Sequence, residues 1–141
     1  KIYTLVKNEI SKFRKYWRTL DKVDLHGFSE LRIALDRFES AYERTSIDDK
    51  LLDYVISVEI LLGTQDDKDS LTYKISVRFS RLCRRDLDGR KIYRCAMGEI
   101  YKLRSAIVHG NENNKKKLWK KVNINDVEEK LREVIYISKT N

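Results

Sequence analysis

Proline is absent from this chain of 141 residues, and glycine occurs only five times. Proline removes a backbone donor and clashes with the turn before it, so its absence leaves nothing that forces a helix to stop or kink. Cysteine is scarce too. Cys83 and Cys95 have neither zinc-type spacing nor a histidine partner, so two free, half-buried thiols are expected rather than a disulfide or a ligand pair. No metal site and no cofactor are expected. No apolar run approaches the ~18 residues that cross a bilayer, and no charged-then-apolar leader is present. Those absences give the expectation of a soluble, cytoplasmic protein without membrane contact. The only methionine is Met97 and the chain starts at Lys1, so it reads as a single domain, 1–141, excised from a longer protein.

Apolar residues make up 41% of the chain, enough at this length for a core of its own. Their spacing is helical. Phe28, Leu31, Leu35, Phe38 and Tyr42 recur every three or four residues, as do Leu51, Val55, Val58 and Leu62. Ser46 and Asp49 are spaced like a capping box before the second set, with Asp in place of Glu, and Gly63 follows as its stop. Leu71, Ile75, Phe79 and Leu82 predict another helix. Ile92, Ala96, Ile100, Leu103 and Ile107 predict a longer one, starting after Asp88 and Gly89 and ending at Gly110. Ile124, Val127, Leu131 and Val134 predict the last, with Asn123 as N-cap. The first twenty residues, with Ile2, Leu5, Val6, Ile10, Phe13 and Trp17, read as helical as well. The expected fold is therefore all-α, a bundle of about five to six helices. Residues 64–69 and 111–117 read as loops, the second a mobile cationic one. Gly98 falls inside a helix, where glycine costs about 1 kcal/mol relative to alanine, so close approach of a neighbouring helix is expected there.

Thirty Lys and Arg against twenty-two Asp and Glu leave a net charge of +8, which favours an anionic partner such as RNA. Lys74, Arg78, Arg81 and Arg85 form a basic stripe at helical spacing, and Lys115, Lys116 and Lys117 close the second loop. Either group can hold phosphates or be a solvated face.

The chemistry-bearing stretch is Arg104, Ser105 and His109 at the end of the most apolar helix. An imidazole exchanges a proton near neutral pH, and a guanidinium offers forked donors to a phosphate. That pairing suits cleavage of a phosphodiester, with His109 taking the proton of a ribose 2′-hydroxyl and Arg104 facing the charge on phosphorus oxygens. Five residues turn a side chain by about 140°, so Arg104 and His109 occupy different faces whereas Ser105 and His109 share one. Ser105 is then a candidate to orient the imidazole or touch phosphate. One histidine supplies only one proton-transfer group, so a homodimer with a composite cleft is expected.

The segments LRIALDRFESAY (31–42), LLDYVISVEILLG (51–63) and YKLRSAIVHG (101–110) together resemble the HEPN superfamily, in particular its Apea-like branch. The stretch they mark out, from Leu31 to Gly110, is more than half the chain, and the segments follow in order and end on the family's Arg-x4-6-His pattern. Arg104 matches its arginine, Ser105 the polar residue that commonly follows and His109 its histidine, while Glu59 matches an acidic position on an earlier helix. The resemblance implies a HEPN-like bundle, dimerisation and a metal-independent endoribonuclease of bacterial toxin, anti-phage or RNA-processing systems. It does not extend to the tyrosine that some members carry after the histidine and that a partner nucleotidyltransferase modifies, since Gly110, Asn111 and Glu112 follow here. Other members bind RNA or protein without cutting.

Plainer roles exist for the same residues. His109 at a helix C-terminus fits a capping role favoured by the dipole. Glu59 can pair with Arg104 across the bundle, either as a structural tie or to hold the arginine ready. Tyr101 reads as packing, one turn from Ser105 and at the border of the cleft. His26, beside Gly27, reads as a surface residue. A non-catalytic HEPN-type module for RNA or nucleotide binding or for dimerisation is the alternative to the nuclease.

Overall fold

The computed structural model describes residues 29–64, 67 and 69–140. The helix expected in the first twenty residues, together with His26, Gly27 and Phe28, lies outside them. Among the described residues there are six α-helices and no strand: α1 (Ser29–Glu43), α2 (Ile47–Leu62), α3 (Leu71–Cys83), α4 (Leu87–Val108), α5 (Glu112–Trp119) and α6 (Ile124–Thr140).

Local signals account for most of the boundaries. Ser46 caps α2 by accepting from the Asp49 amide at 3.3 Å, and the Gly63 amide closes the helix on Glu59 O at 2.8 Å. Asn123 Oδ1 accepts from the Asn125 amide at the start of α6. Helix α4 begins at Leu87, three residues before the start expected after Asp88 and Gly89, because Asp86 is its N-cap and accepts from the Gly89 amide at 2.6 Å. A capping carboxylate before the first turn outweighs the glycine as a boundary marker.

Helices α1 and α2 pack together, as do α3 and α4, and α6 lies across α2 and α3. One apolar cluster joins them. Tyr54, Leu51, Ile75, Phe79, Met97, Leu103 and Leu131 are its largest fully enclosed side chains, each gaining roughly 1.5–3 kcal/mol from leaving water. Ile92 is an exception to the expected α4 stripe, being 67% exposed. Ile92 is not among the described residues packed on the apolar cluster, and Leu87 in the same N-terminal part of α4 is exposed as well. Gly98 corrects a second expectation. Among the described residues a side chain built there would meet nothing within 4 Å, so none of the described helices approaches it.

Two acids, Asp53 buried and Glu128 half-buried, tie the helices together. Asp53 on α2 takes Arg44 at 2.6 Å and Arg37 at 3.5 Å. Glu128 on α6 accepts from Tyr42 at 2.6 Å and Tyr54 at 2.8 Å. Burial opposes ionisation of Glu128, but those hydrogen bonds outweigh it and hold its carboxyl below the usual range. Both cysteines are free, yet they differ: Cys83 is buried and Cys95 exposed. Burial, with the nearby Glu133 charge adding, pushes the Cys83 thiol up to about 12.

Candidate nucleic-acid cleft at the end of helix α4

Helix α4 stops in a pattern its sequence dictates. His109 is the C-cap residue and Gly110 follows with φ +65°, the left-handed region that glycine enters without steric cost. The Asn111 amide then reaches back to Ala106 O at 2.8 Å and the Gly110 amide to Ile107 O at 3.1 Å, the two bonds of a Schellman motif. Asn111 immediately caps the next helix, its side chain accepting from the Asn114 amide at 3.1 Å.

That next helix corrects the reading of residues 111–117 as a mobile loop. They form most of α5, and the helix is pinned to the bundle. Asp48 accepts from Lys115 at 2.9 Å and from the Trp119 indole at 2.8 Å. Burial disfavours the Asp48 charge, but the two donors outweigh it and lower its pKa. The signal was local: an asparagine cap, Glu112 in the first turn, and Lys116 and Lys117 in the last, each favourable to the helix dipole. A polar sequence hid it, since no apolar stripe runs through α5.

The sharp turn leaves an open cleft of about 480 Å³ between the last turns of α4 and helix α5. Ser105 and His109 line one wall, with Lys102 one turn before Ser105. Lys117 and Lys121 line it as well, with Asn114 beside them. No carboxylate is among the lining residues. Glu99 stands at the edge, 2.7 Å from Lys102 and 3.8 Å from Lys121, and the Lys102 hydrogen bond holds its carboxyl below the usual range against the opposing effect of burial.

Arg104 is not part of this lining. Its Nε lies 3.7 Å from Glu59 Oε1, joining α4 to α2, with the arginine side chain 38% exposed. Tyr101, one turn before, is buried, and its hydroxyl has no hydrogen-bond partner among the described residues. Burial pushes its phenol well above the usual range and the Glu59 charge adds to this. Arg104, Glu59 and Tyr101 thus form a polar group beside the cleft, while Ser105 and His109 stand in it.

The basic residues picked from sequence divide in the same way. Lys74 and Arg78 do not present a free stripe, because both are tied to Asp67, Lys74 at 3.2 Å, and Arg78 also donates to Leu62 O at 2.8 Å. The Arg78 hydrogen bond drives the Asp67 carboxyl far below the usual range. Arg81 is exposed on α3, and Arg85 is exposed in the turn after the helix ends at Cys83. Of the three consecutive lysines, Lys115 is engaged by Asp48 and Glu112, Lys116 is exposed and not in the cleft lining, and Lys117 lines the cleft. Sequence reasoning overlooked Lys102 and Lys121. The first was legible, lying three and seven residues before Ser105 and His109 on one helical face; the second is brought in only by the turn.

Comparison of the chain with protein families, curated proteins and solved structures finds no match. The chemistry of the cleft therefore stands on its own residues. Among the described residues no three His, Cys, Asp or Glu side chains gather as a metal-binding group, and no helix is long and apolar enough to cross a membrane.

Proposed function

We propose that the chain is a HEPN-type endoribonuclease that cleaves RNA by attack of a ribose 2′-hydroxyl on the adjacent phosphodiester, with no metal in the reaction, in a cytoplasmic toxin or defence system. The observation that carries this reading is the cleft that places His109 and Ser105 among Lys102, Lys117 and Lys121 with no carboxylate in its lining. Such a cavity attracts a phosphate backbone and offers it a single proton-transfer group. His109 takes the 2′-proton as the oxygen bonds to phosphorus. The bond to the 5′-oxygen breaks, and that oxygen leaves with a proton from a second group, which a symmetric homodimer supplies as the other copy's histidine. The products are a 2′,3′-cyclic phosphate and a free 5′-hydroxyl. Arg104, released from Glu59 or contributed across the dimer, faces the phosphorus oxygens.

The test is incubation of labelled single-stranded and structured RNAs in EDTA with wild type, His109→Ala and Arg104→Ala. Removing the base should cost about 10²–10⁴-fold in rate with the melting temperature kept, and the product ends should be cyclic phosphates. Cleavage that survives His109→Ala would overturn the reading.

A second reading draws on Arg104, which faces Glu59 and not the cleft. Held so, it serves the bundle, and the cleft becomes a non-catalytic site for RNA or a nucleotide. This reading expects salt-sensitive binding that persists in His109→Ala and no cutting by either protein.

A further inference from the structure

A second cationic groove lies between α3 and the N-terminal half of α4, away from the His109 cleft. Its volume is about 320 Å³, and Arg81, Arg90, Lys91 and Arg94 line it together with Tyr73, with no carboxylate in the lining. Tyr73 is 61% exposed and stands at the rim of the groove. The Arg94 guanidinium sits over its ring, 5.9 Å from the centroid. Among the described residues no ion pair engages Arg81 or Arg94, whereas Lys91 has Asp88 at 3.4 Å. Arg90 is anchored by donating to Arg84 O at 2.9 Å, which fixes one wall.

The groove is continuous with the cleft along a single helix face. Lys91, Arg94, Gly98, Lys102, Ser105 and His109 follow one another at steps of three or four residues on α4, and all but the half-buried Gly98 are exposed. Lys91 and Arg94 line the groove; Lys102, Ser105 and His109 line the cleft. Between them Gly98 adds no side chain to this face, and among the described residues nothing lies within 4 Å of where one would be. Fifteen residues separate Arg94 from His109, a rise of about 22 Å along a regular helix.

We propose that this face is a track for one unpaired RNA strand, with the Tyr73–Arg94 groove as a distal anchor that takes a base on the tyrosine ring and the flanking phosphates on Arg81, Arg90 and Arg94. A flat ring beside unpaired guanidinium groups is the combination that holds single strands, by stacking and by charge. A duplex keeps its bases paired and stacked, so it cannot use the ring. The proposal deepens the RNA reading of the His109 site and rests on it, but not on cleavage.

The experiment uses His109→Ala protein in EDTA, so that no RNA is cut, with fluorescein-labelled RNA followed by anisotropy: an oligomer of about twelve nucleotides, one of about four, and a duplex of the longer sequence. Tyr73→Ala with Arg94→Ala should weaken the twelve-mer about tenfold or more and flatten its salt dependence by about 0.7 per lost phosphate contact. Tyr73→Phe should bind as the parent does. The four-mer and the duplex should respond little to either change. Lys117→Glu serves as the control in the cleft. If it weakens the twelve-mer while Tyr73→Ala with Arg94→Ala changes nothing, the track is wrong and the cleft stands. If the parent protein binds no RNA at all, both readings fail together.

Discussion

Two glycines in the same region are expected to answer oppositely to alanine. Gly110 has φ +65°, a conformation that costs an L-residue about 1–2 kcal/mol, and the Schellman bonds around it set where His109 and α5 meet. Gly110→Ala should therefore lower the melting temperature and reduce cleavage or RNA binding as well. Gly98 sits mid-helix with no described residue within 4 Å of where a side chain would stand, and Gly98→Ala should stabilise by up to about 1 kcal/mol. Thermal denaturation of the two variants followed by circular dichroism measures the contrast. Equal shifts of the same sign would mean that Gly110 is not a special position.

At the scale of elements, helix α5 depends on Asp48 and helix α6 on Glu128. Asp48 has a lowered pKa in the folded chain, so its contribution is complete above the unfolded carboxyl value of about 3.9 and disappears as pH falls through the lower folded value. Trp119 donates to this carboxylate and reports on it. In a Trp17→Phe background, acidification should change the Trp119 emission in that window. Asp48→Asn should remove the acid-dependent step and loosen α5 at neutral pH. Glu128 holds the hydroxyl of Tyr54, a ring wholly enclosed in the core. Glu128→Ala strands that hydroxyl and should cost about 1–3 kcal/mol, read as a lower urea midpoint, while Tyr54→Phe in the same background should recover part of the loss.

For the whole molecule the net charge of +8 makes salt a diagnostic variable. Single-strand affinity should fall log-linearly with salt, by about 0.7 for each phosphate neutralised. The composite-site proposal makes a sharper demand, because one cleft holds one histidine. Adding excess His109→Ala protein to a fixed amount of wild type should suppress cleavage as mixed dimers replace wild-type dimers. If the rate stays proportional to wild-type protein alone, each chain acts by itself and the second proton-transfer group must be sought within it.

How far the sequence reaches depends on the range of the interactions. Ser46 with Asp49, Gly110 after His109, and the apolar spacing through Leu51, Val55 and Val58 are local patterns, and they alone determined an all-α chain with most of its helices correctly bounded. Helix α5 was equally local, written in Asn111, Glu112 and the following lysines, but its signal lay in caps and charges and not in an apolar stripe. Ser105 and His109 sharing a face followed from helix geometry before any packing was known. Only the tertiary structure decided the rest. It spent Arg78 and Lys74 on Asp67, turned Arg104 toward Glu59, brought Lys117 and Lys121 into one cleft with His109, and left Ile92 exposed. The physical reason is that a side chain's charge and type are set by its codon, whereas whether that charge meets a carboxylate, a cleft or water depends on which helix the fold lays beside it.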